Sequence, residues 1–329
     1  MTETMRASWF EHFGPAADVL SVGEMEAPQP GAGEVRVRIA VSGVNPVDVK
    51  RRLGGRGATE GSQVVPHFDG AGTIESVGEG VADSRLGERV WVYEAQFGRA
   101  FGTAAELAVV ASDLAVSLPE IADFDAGACL GIPALTAHRC VFADGSVAGQ
   151  TVLVTGGAGA VGNYAVQFAK LDDATVIATV SGDDKAELAR QGGADHVVNY
   201  RTEDVAERLG ELAGAGGLDR VVEVEFGGNL EASMAALKNN GVIATYASQA
   251  NPEPTVPFYA LAYKNVTVQH VLVFGMPDEA KQQGVADISR WLEAGQLRHH
   301  LGPRFSLETI AEAHEAVEAG VFGKVLVEL

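Results

Sequence analysis

Apolar and polar positions alternate from residue 34 to 42, with Val35, Val37, Ile39 and Val41 set against Arg36, Arg38, Ala40 and Ser42. A two-residue period sends alternate side chains to opposite faces, so it predicts a half-buried strand whose second set faces water. Apolar runs at 73–77, 89–93 and 106–110, each bounded by glycine-rich turns, predict further short strands. Residues 1–122 therefore read as a compact, barrel-like, mostly-β domain. After Pro119 the period changes. Residues 125–142 read as helix, and strands at 151–155, 175–179, 196–199, 218–224, 242–245 and 266–273 then alternate with helices near 160–171, 184–192, 203–213 and 229–238. These strands are apolar almost throughout, as in a parallel sheet covered on both faces. Six of them in this order predict the doubly wound α/β layout. The tail adds a helix after Ser306, read as its N-cap, and a short strand at 325–327.

Composition narrows the choice of partner. The 329 residues carry 24 basic against 44 acidic side chains, a formal charge of −20. Such a chain repels phosphate backbones and anionic membrane surfaces, so neither nucleic acid nor membrane is an expected partner. No apolar run approaches the ~18 residues of a membrane span, and the N-terminus lacks the block pattern of a signal peptide. A soluble, cytoplasmic protein is expected. The two cysteines, Cys129 and Cys140, lie in apolar stretches and read as small buried hydrophobes.

One motif carries chemistry. An apolar strand ends at Thr155, the glycines Gly156, Gly159 and Gly162 follow, and a helical stretch opens among them. Gly156 and Gly159 allow a sharp turn and close approach of an anion; Gly162 allows close helix–strand packing. The free N–H groups and positive helix end then face a pyrophosphate, which predicts a dinucleotide site. An NAD-selective site ends its second strand in an acid that holds the ribose 2′-OH. Nineteen residues past Gly162 stands Ser181 instead, with Lys185 four residues on and Tyr200-Arg201 after the third strand. A hydroxyl, an ammonium and a phenol suit a phosphomonoester, so NADP(H) is the expected cofactor despite Asp183 and Asp184 nearby.

Together with Ser42-Gly-Val-Asn45-Pro-Val-Asp48, Gly131-Ile-Pro-Ala-Leu-Thr136 and Phe322-Gly-Lys324-Val, these motifs resemble the medium-chain dehydrogenase/reductase superfamily and, within it, the quinone oxidoreductase (zeta-crystallin-like) branch. The resemblance spans nearly the whole chain. It implies a GroES-like catalytic domain at 1–122, completed by 295–329, and a Rossmann domain at 123–294. It also implies that Ala158, Gly159, Ala160 and Val161 cradle the pyrophosphate and that Ser181, Lys185 and Tyr200 surround the adenosine phosphate. Asn229 falls on the adenine side, Tyr246, Ala247 and Ser248 follow the fifth strand, and Gln269, His270 and Val271 pass the nicotinamide. Asn45, Thr136 and Lys324 reach the cofactor or substrate. Where relatives often carry an active-site tyrosine this chain has Lys50, a cation suited to steadying an enolate or quinol anion.

Zinc-dependent members of the superfamily place Cys, Gly-His-Glu and Cys around a catalytic metal. The corresponding places here hold Asn45, His67-Phe68-Asp69 and Ile132, and two cysteines cannot supply a four-cysteine zinc lobe. His67 is expected to cap or pack, and no metal is expected. Without a Lewis acid the fitting acceptors conjugate their own electrons: quinones, or the β-carbon of an α,β-unsaturated carbonyl. The expected reaction is hydride transfer from NADPH, with Asn45 and Lys50 as the catalytic candidates and Asp48 and Asp69 in hydrogen-bonding roles. A 2-enoyl thioester reductase and a non-enzymatic NADPH-binding structural or stress protein are the alternatives. The unpaired edge of the sixth strand predicts a homodimer.

Overall fold

The computed structural model describes residues 3–55 and 63–329. The chain divides into two compact units, Met1–Ile132 with Val285–Leu329, and Pro133–Gly284. The first division falls inside the helix Phe124–Phe142, at the point where Gly131 leaves helical geometry.

The first unit is built on a mostly antiparallel sheet. Its strands run in the order Leu301–Ser306, Lys324–Glu328, Glu34–Val44, Asp69–Val77, Arg89–Val92 and Ala115–Ser117, and Leu107–Ala111 pairs with Glu34–Val44 off this path. Val35, Val37, Ile39, Ile74, Val90 and Val110 form one core cluster of this sheet. Each such side chain removed from water contributes about 1.5–3 kcal/mol of transfer free energy. Alternation along Glu34–Val44 predicts that the second set faces water; Arg38 does, but burial corrects this at Arg36 and Ser42. Arg36 is 8% exposed, held by Glu3 and Glu75, while Ser42 is fully covered. The ion partners arrive from distant segments, so the pattern within the strand could not reveal them. The tail strand Lys324–Glu328 pairs antiparallel with Val41–Val44, deep in the sheet.

The second unit holds six parallel strands in the order His196–Asn199, Thr175–Val180, Thr151–Val154, Leu218–Glu223, Leu237–Thr245 and Thr267–His270. Counted along the chain this is 3-2-1-4-5-6, with the order reversing beside Thr151–Val154, which is where such sheets bind dinucleotides. Leu153, Ile177, Val198, Val221 and Ile243 stack across the sheet, and Leu209, Phe226, Leu230 and Met234 pack onto it. The sixth strand is shorter than its apolar run of 266–273. Its ladder with Leu237–Thr245 ends at the pair Thr245–His270, and the chain then turns into a 3-10 segment at Val273–Gly275.

Candidate active site

In the second unit the strand Thr151–Val154 leads to Gly156, whose φ of +64° is the left-handed geometry that glycine adopts without strain. The turn closes on its neighbours. Gly156 N–H donates to Thr179 Oγ1, Gly157 N–H to the Thr179 carbonyl, and Gly159 N–H to the Gly156 carbonyl at 2.8 Å. Among the described residues the N–H groups of Ala158, Ala160, Val161 and Gly162 have no backbone acceptor. These are donors at the start of the helix Ala160–Leu171, next to its positive end. Gly159 is exposed, so an anion can approach there without meeting a side chain. Gly162 packs against the glycine turn itself rather than against the strand: a Cβ there would overlap the Gly156 carbonyl oxygen.

The expected phosphate-binding residues fall together at the neighbouring strand ends. Ser181 follows Thr175–Val180, Lys185 lies half-buried in the helix Asp183–Gln191, and exposed Tyr200 donates its N–H to the Val180 carbonyl at 3.0 Å. Tyr246, Ala247 and Ser248 follow Leu237–Thr245, Gln269 and His270 end the sixth strand, and Val271 follows it, its N–H donating to the Thr245 carbonyl. All therefore sit at the carboxyl edge of one sheet. Thr136 is buried, three residues past Pro133.

Two carboxylates that the sequence did not single out organise this edge. Glu223, 1% exposed, accepts hydrogen bonds from Thr155 Oγ1 (2.7 Å), Asn229 Nδ2 (2.8 Å) and Glu225 N–H (2.7 Å). Asn229, expected on the adenine side of the cofactor, is held against Glu223. Glu225 accepts from the N–H groups of Gln249, Ala250 and Asn251. Partial burial opposes ionisation of Glu225, yet these backbone donors prevail and hold its carboxyl below the usual range. Ser248 Oγ accepts from Gly227 N–H and donates to the Asn251 carbonyl, which pins the same loop. An acid directly after the apolar pair Val221-Val222, at the carboxyl end of its strand, was the available signal for Glu223.

The first unit, taken by itself, holds a buried polar cluster. Asn45 precedes the helix Pro46–Arg52, and its N–H donates to Asp48 Oδ2 at 2.6 Å. Its side chain donates from Nδ2 to Asp69 Oδ2 at 2.7 Å and accepts at Oδ1 from Lys324 Nζ at 2.6 Å. Lys324 Nζ also donates to Asp69 Oδ2 at 3.1 Å. Asp69 takes a further N–H from Ile132, whose nitrogen lies 3.1 Å from both carboxylate oxygens. Gly131 makes that contact possible, because a Cβ there would collide with the Asp69 carboxylate. Burial, and then the Asp69 charge, push Asp48 up to about 7 against the pull of the Asn45 N–H. Lys50 stands on the exposed side of the helix Pro46–Arg52 and makes no side-chain hydrogen bond or ion pair among the described residues.

A second buried network lies behind Asp69. Thr103 Oγ1 donates to the Asp69 carbonyl, which can only accept. Ser42 Oγ then donates to Thr103 and accepts from His67 Nδ1, which leaves His67 Nε2 to accept from His314 Nε2 at 3.0 Å. Burial lowers the pKa of both rings, so both are neutral, in fixed tautomers. His67 packs, as expected, rather than standing as an isolated ligand. Cys129 and Cys140 are buried, and burial pushes each thiol up to about 12. Among the described residues no group of three or more His, Cys, Asp or Glu side chains is arranged to hold a metal ion, and no helix is long and apolar enough to cross a membrane.

Comparison with known proteins places this geometry. Residues 31–120 match the alcohol dehydrogenase GroES-like domain and residues 160–290 the domain described as zinc-binding dehydrogenase. The quinone oxidoreductase of Rattus norvegicus is 31% identical over 97% of this chain and 96% of its own. A 2-haloacrylate reductase of a Burkholderia species is 29% identical over 89% of both. A mycobacterial structure solved in complex with NADPH superposes with a TM-score of 0.86 at 28% identity, over 99% of this chain and 100% of that one. With a GroES-like unit, a Rossmann sheet and a relative of this identity along its length, the chain belongs to the medium-chain dehydrogenase/reductase superfamily, in its quinone oxidoreductase branch.

Proposed function

We propose that this oxidoreductase uses NADPH to reduce quinones or small α,β-unsaturated carbonyls, without a metal. The observation that carries the reading is the set of N–H groups of Ala158, Ala160, Val161 and Gly162, which have no backbone acceptor among the described residues, beside a rim of Ser181, Lys185 and Tyr200 with no acid at the end of Thr175–Val180. Those residues fit NADP(H): the helix start takes the pyrophosphate, and the ammonium and hydroxyls take the 2′-phosphate. Bound NADPH supplies hydride at its nicotinamide. Glu223 and Glu225 fix the strand ends and the loop beneath it, so little reordering opposes binding. Asn45 orients the acceptor oxygen, and the last proton comes from water or from Lys50. Metal independence is supported by chemistry at Asn45 and Asp69, whose oxygens receive the Lys324 ammonium where a metal would need them. The relatives named for quinone and 2-haloacrylate reduction act on conjugated acceptors, in keeping with this substrate class.

The test is NADPH oxidation against a panel of quinones and enones, with NADH as control and with a chelator present. NADPH is expected to outperform NADH, and the chelator to leave the rate unchanged. Lys185→Ala is expected to raise KM for NADPH about 10-fold, the worth of one charge-assisted contact at a half-open rim, and to leave KM for NADH alone. Equal rates with both cofactors would overturn the cofactor assignment, and loss of turnover with the chelator would overturn metal independence.

We also propose a homodimer. Thr267–His270 is a sheet edge, and Phe258, Tyr259, Tyr263 and Leu272 nearby in sequence are 66–84% exposed. Edge pairing with a second copy would cover them. Sedimentation at micromolar concentration is expected to give about twice the 34.3 kDa chain mass, and a monomer alone would refute it.

A further inference from the structure

We infer that Lys324 and Asn45 form a two-donor site for the oxyanion that develops on a reduced acceptor, with Asp69 as its positioning residue. This rests on the reductase reading above. The Lys324 ammonium has three N–H donors and uses two, on Asn45 Oδ1 and Asp69 Oδ2. The Asn45 amide has two and uses one, on the same Asp69 oxygen. One donor remains on each nitrogen, and because both nitrogens bond a common oxygen they are neighbours. Asn45 is 2% exposed and the Lys324 side chain 3%, so water does little to satisfy either. A buried donor left without an acceptor is costly, and an ion pair buried in place of apolar side chains adds little stability. The arrangement becomes favourable when an oxygen of negative charge is placed against both donors.

The fold prepares this pair. Gly43 stands opposite the lysine stem, where a Cβ would lie 2.7 Å from Lys324 Cε. Asp69 draws both nitrogens to one point and is itself held by Ile132 N–H. In the reaction the acceptor carbon gains hydride from NADPH, forming a C–H bond. The π pair of the conjugated system moves to the carbonyl oxygen. That oxygen, now an anion, is held by Lys324 and Asn45 until a proton reaches it from water or Lys50, and NADP⁺ is left. Lys324, a buried cation already joined to Asn45, thus takes the stabilising part that the sequence offered to Lys50.

The test uses 4-nitrophenol, whose phenolate absorbs near ~400 nm, as a stable oxyanion probe that needs no turnover. Bound to the wild-type protein, the probe is expected to ionise at least about one pH unit below the free phenol, which is a 10-fold preference for the anion. Lys324→Met alone would strand the Asp69 charge, so the double variant K324M/D69N is used, with folding checked by circular dichroism. It is expected to lose the spectral shift and about 100-fold in kcat, with the dissociation constant for NADPH within about twofold of wild type. Asn45→Ala is expected to shrink the shift, whereas Asp69→Asn, which removes a negative charge in contact with both donors and leaves an amide oxygen to gather them, is expected to enlarge it, an effect that a merely structural Asp69 would not produce in a folded variant. A probe that does not bind, that ionises at its free pH, or that keeps its shift in the folded double variant overturns the proposal. A shift seen in a wild-type protein that oxidises no NADPH with any acceptor supports the oxyanion site and overturns the reductase reading instead.

Discussion

Gly162→Val is expected to weaken NADPH binding at least about 100-fold, or about 2.7 kcal/mol, while the protein stays folded. Even a methyl group at this position overlaps the Gly156 carbonyl oxygen, and that atom cannot step aside, because it already accepts the Gly159 N–H at 2.8 Å. To admit valine the turn must open, and the N–H groups of Ala158, Ala160 and Val161 lose their common direction. Each hydrogen bond to a charged phosphate oxygen is worth about 1.5–3 kcal/mol, so two misdirected donors account for the loss. Cofactor fluorescence titration reads the affinity and circular dichroism the fold. A folded variant with wild-type affinity would remove the helix start from the binding site.

Acid is expected to unfold the protein with a steep and specific pH dependence. Burial holds His67 well below the ordinary histidine value, helped by His314 and Lys324. Burial, aided by Arg52, lowers His314 to about 3, and burial lowers His299 to about 4. All three stay neutral in the native protein between pH 6.5 and 5, whereas the unfolded chain gains a proton at each, so stability falls as pH falls. Asp48 acts in the opposite sense: raised to about 7, it holds a native proton that the unfolded carboxyl releases above its own pKa of about 3.9. Three protons gained on unfolding against one lost leave two, a slope of about 2.7 kcal/mol per pH unit. That slope is reached only near pH 5, because the unfolded histidines are half protonated at pH 6.5, so from pH 6.5 to 5 the loss is about 3 kcal/mol, a large share of a typical 5–15 kcal/mol stability. Carboxyls with lowered pKa, such as Glu225, enter only below about pH 4.5. Urea midpoints between pH 7 and 5 measure the slope, which Asp48→Asn should steepen by about half by removing the opposing proton. A flat profile over that range would show that the buried histidines are charged or accessible.

Much of the second unit was legible because its strands and helices each satisfy a local rule. Residues 160–171 are the helix Ala160–Leu171, and 184–192 nearly coincide with Asp183–Gln191. Errors arise where distant pairing decides. Lys238, Asn239 and Asn240 are polar, yet they belong to the strand Leu237–Thr245, which touches its neighbour first at Leu218–Leu237 and again from Val242. At the sixth strand the apolar run outlasts the available partner. The strand Leu301–Ser306 carries no alternation, and only the tail strand beside it makes it one. At the site, glycine spacing revealed the phosphate-binding turn, since that need is local. The Asp69 cluster draws its members from residues 45, 69, 132 and 324, and no local pattern links them.

The position of Lys324–Glu328 within the first sheet has a consequence for biosynthesis. Pro133–Gly284 is continuous and contains every strand of its own sheet. The first unit is discontinuous: the strand beside Val41–Val44 is made long after it, once all of Pro133–Gly284 has been made. Until it arrives, Glu34–Val44 lacks a neighbour and Asn45 and Asp69 lack their cation. Closing so long a loop is slow, so the sheet of the first unit is completed only after the whole of the second unit has been made.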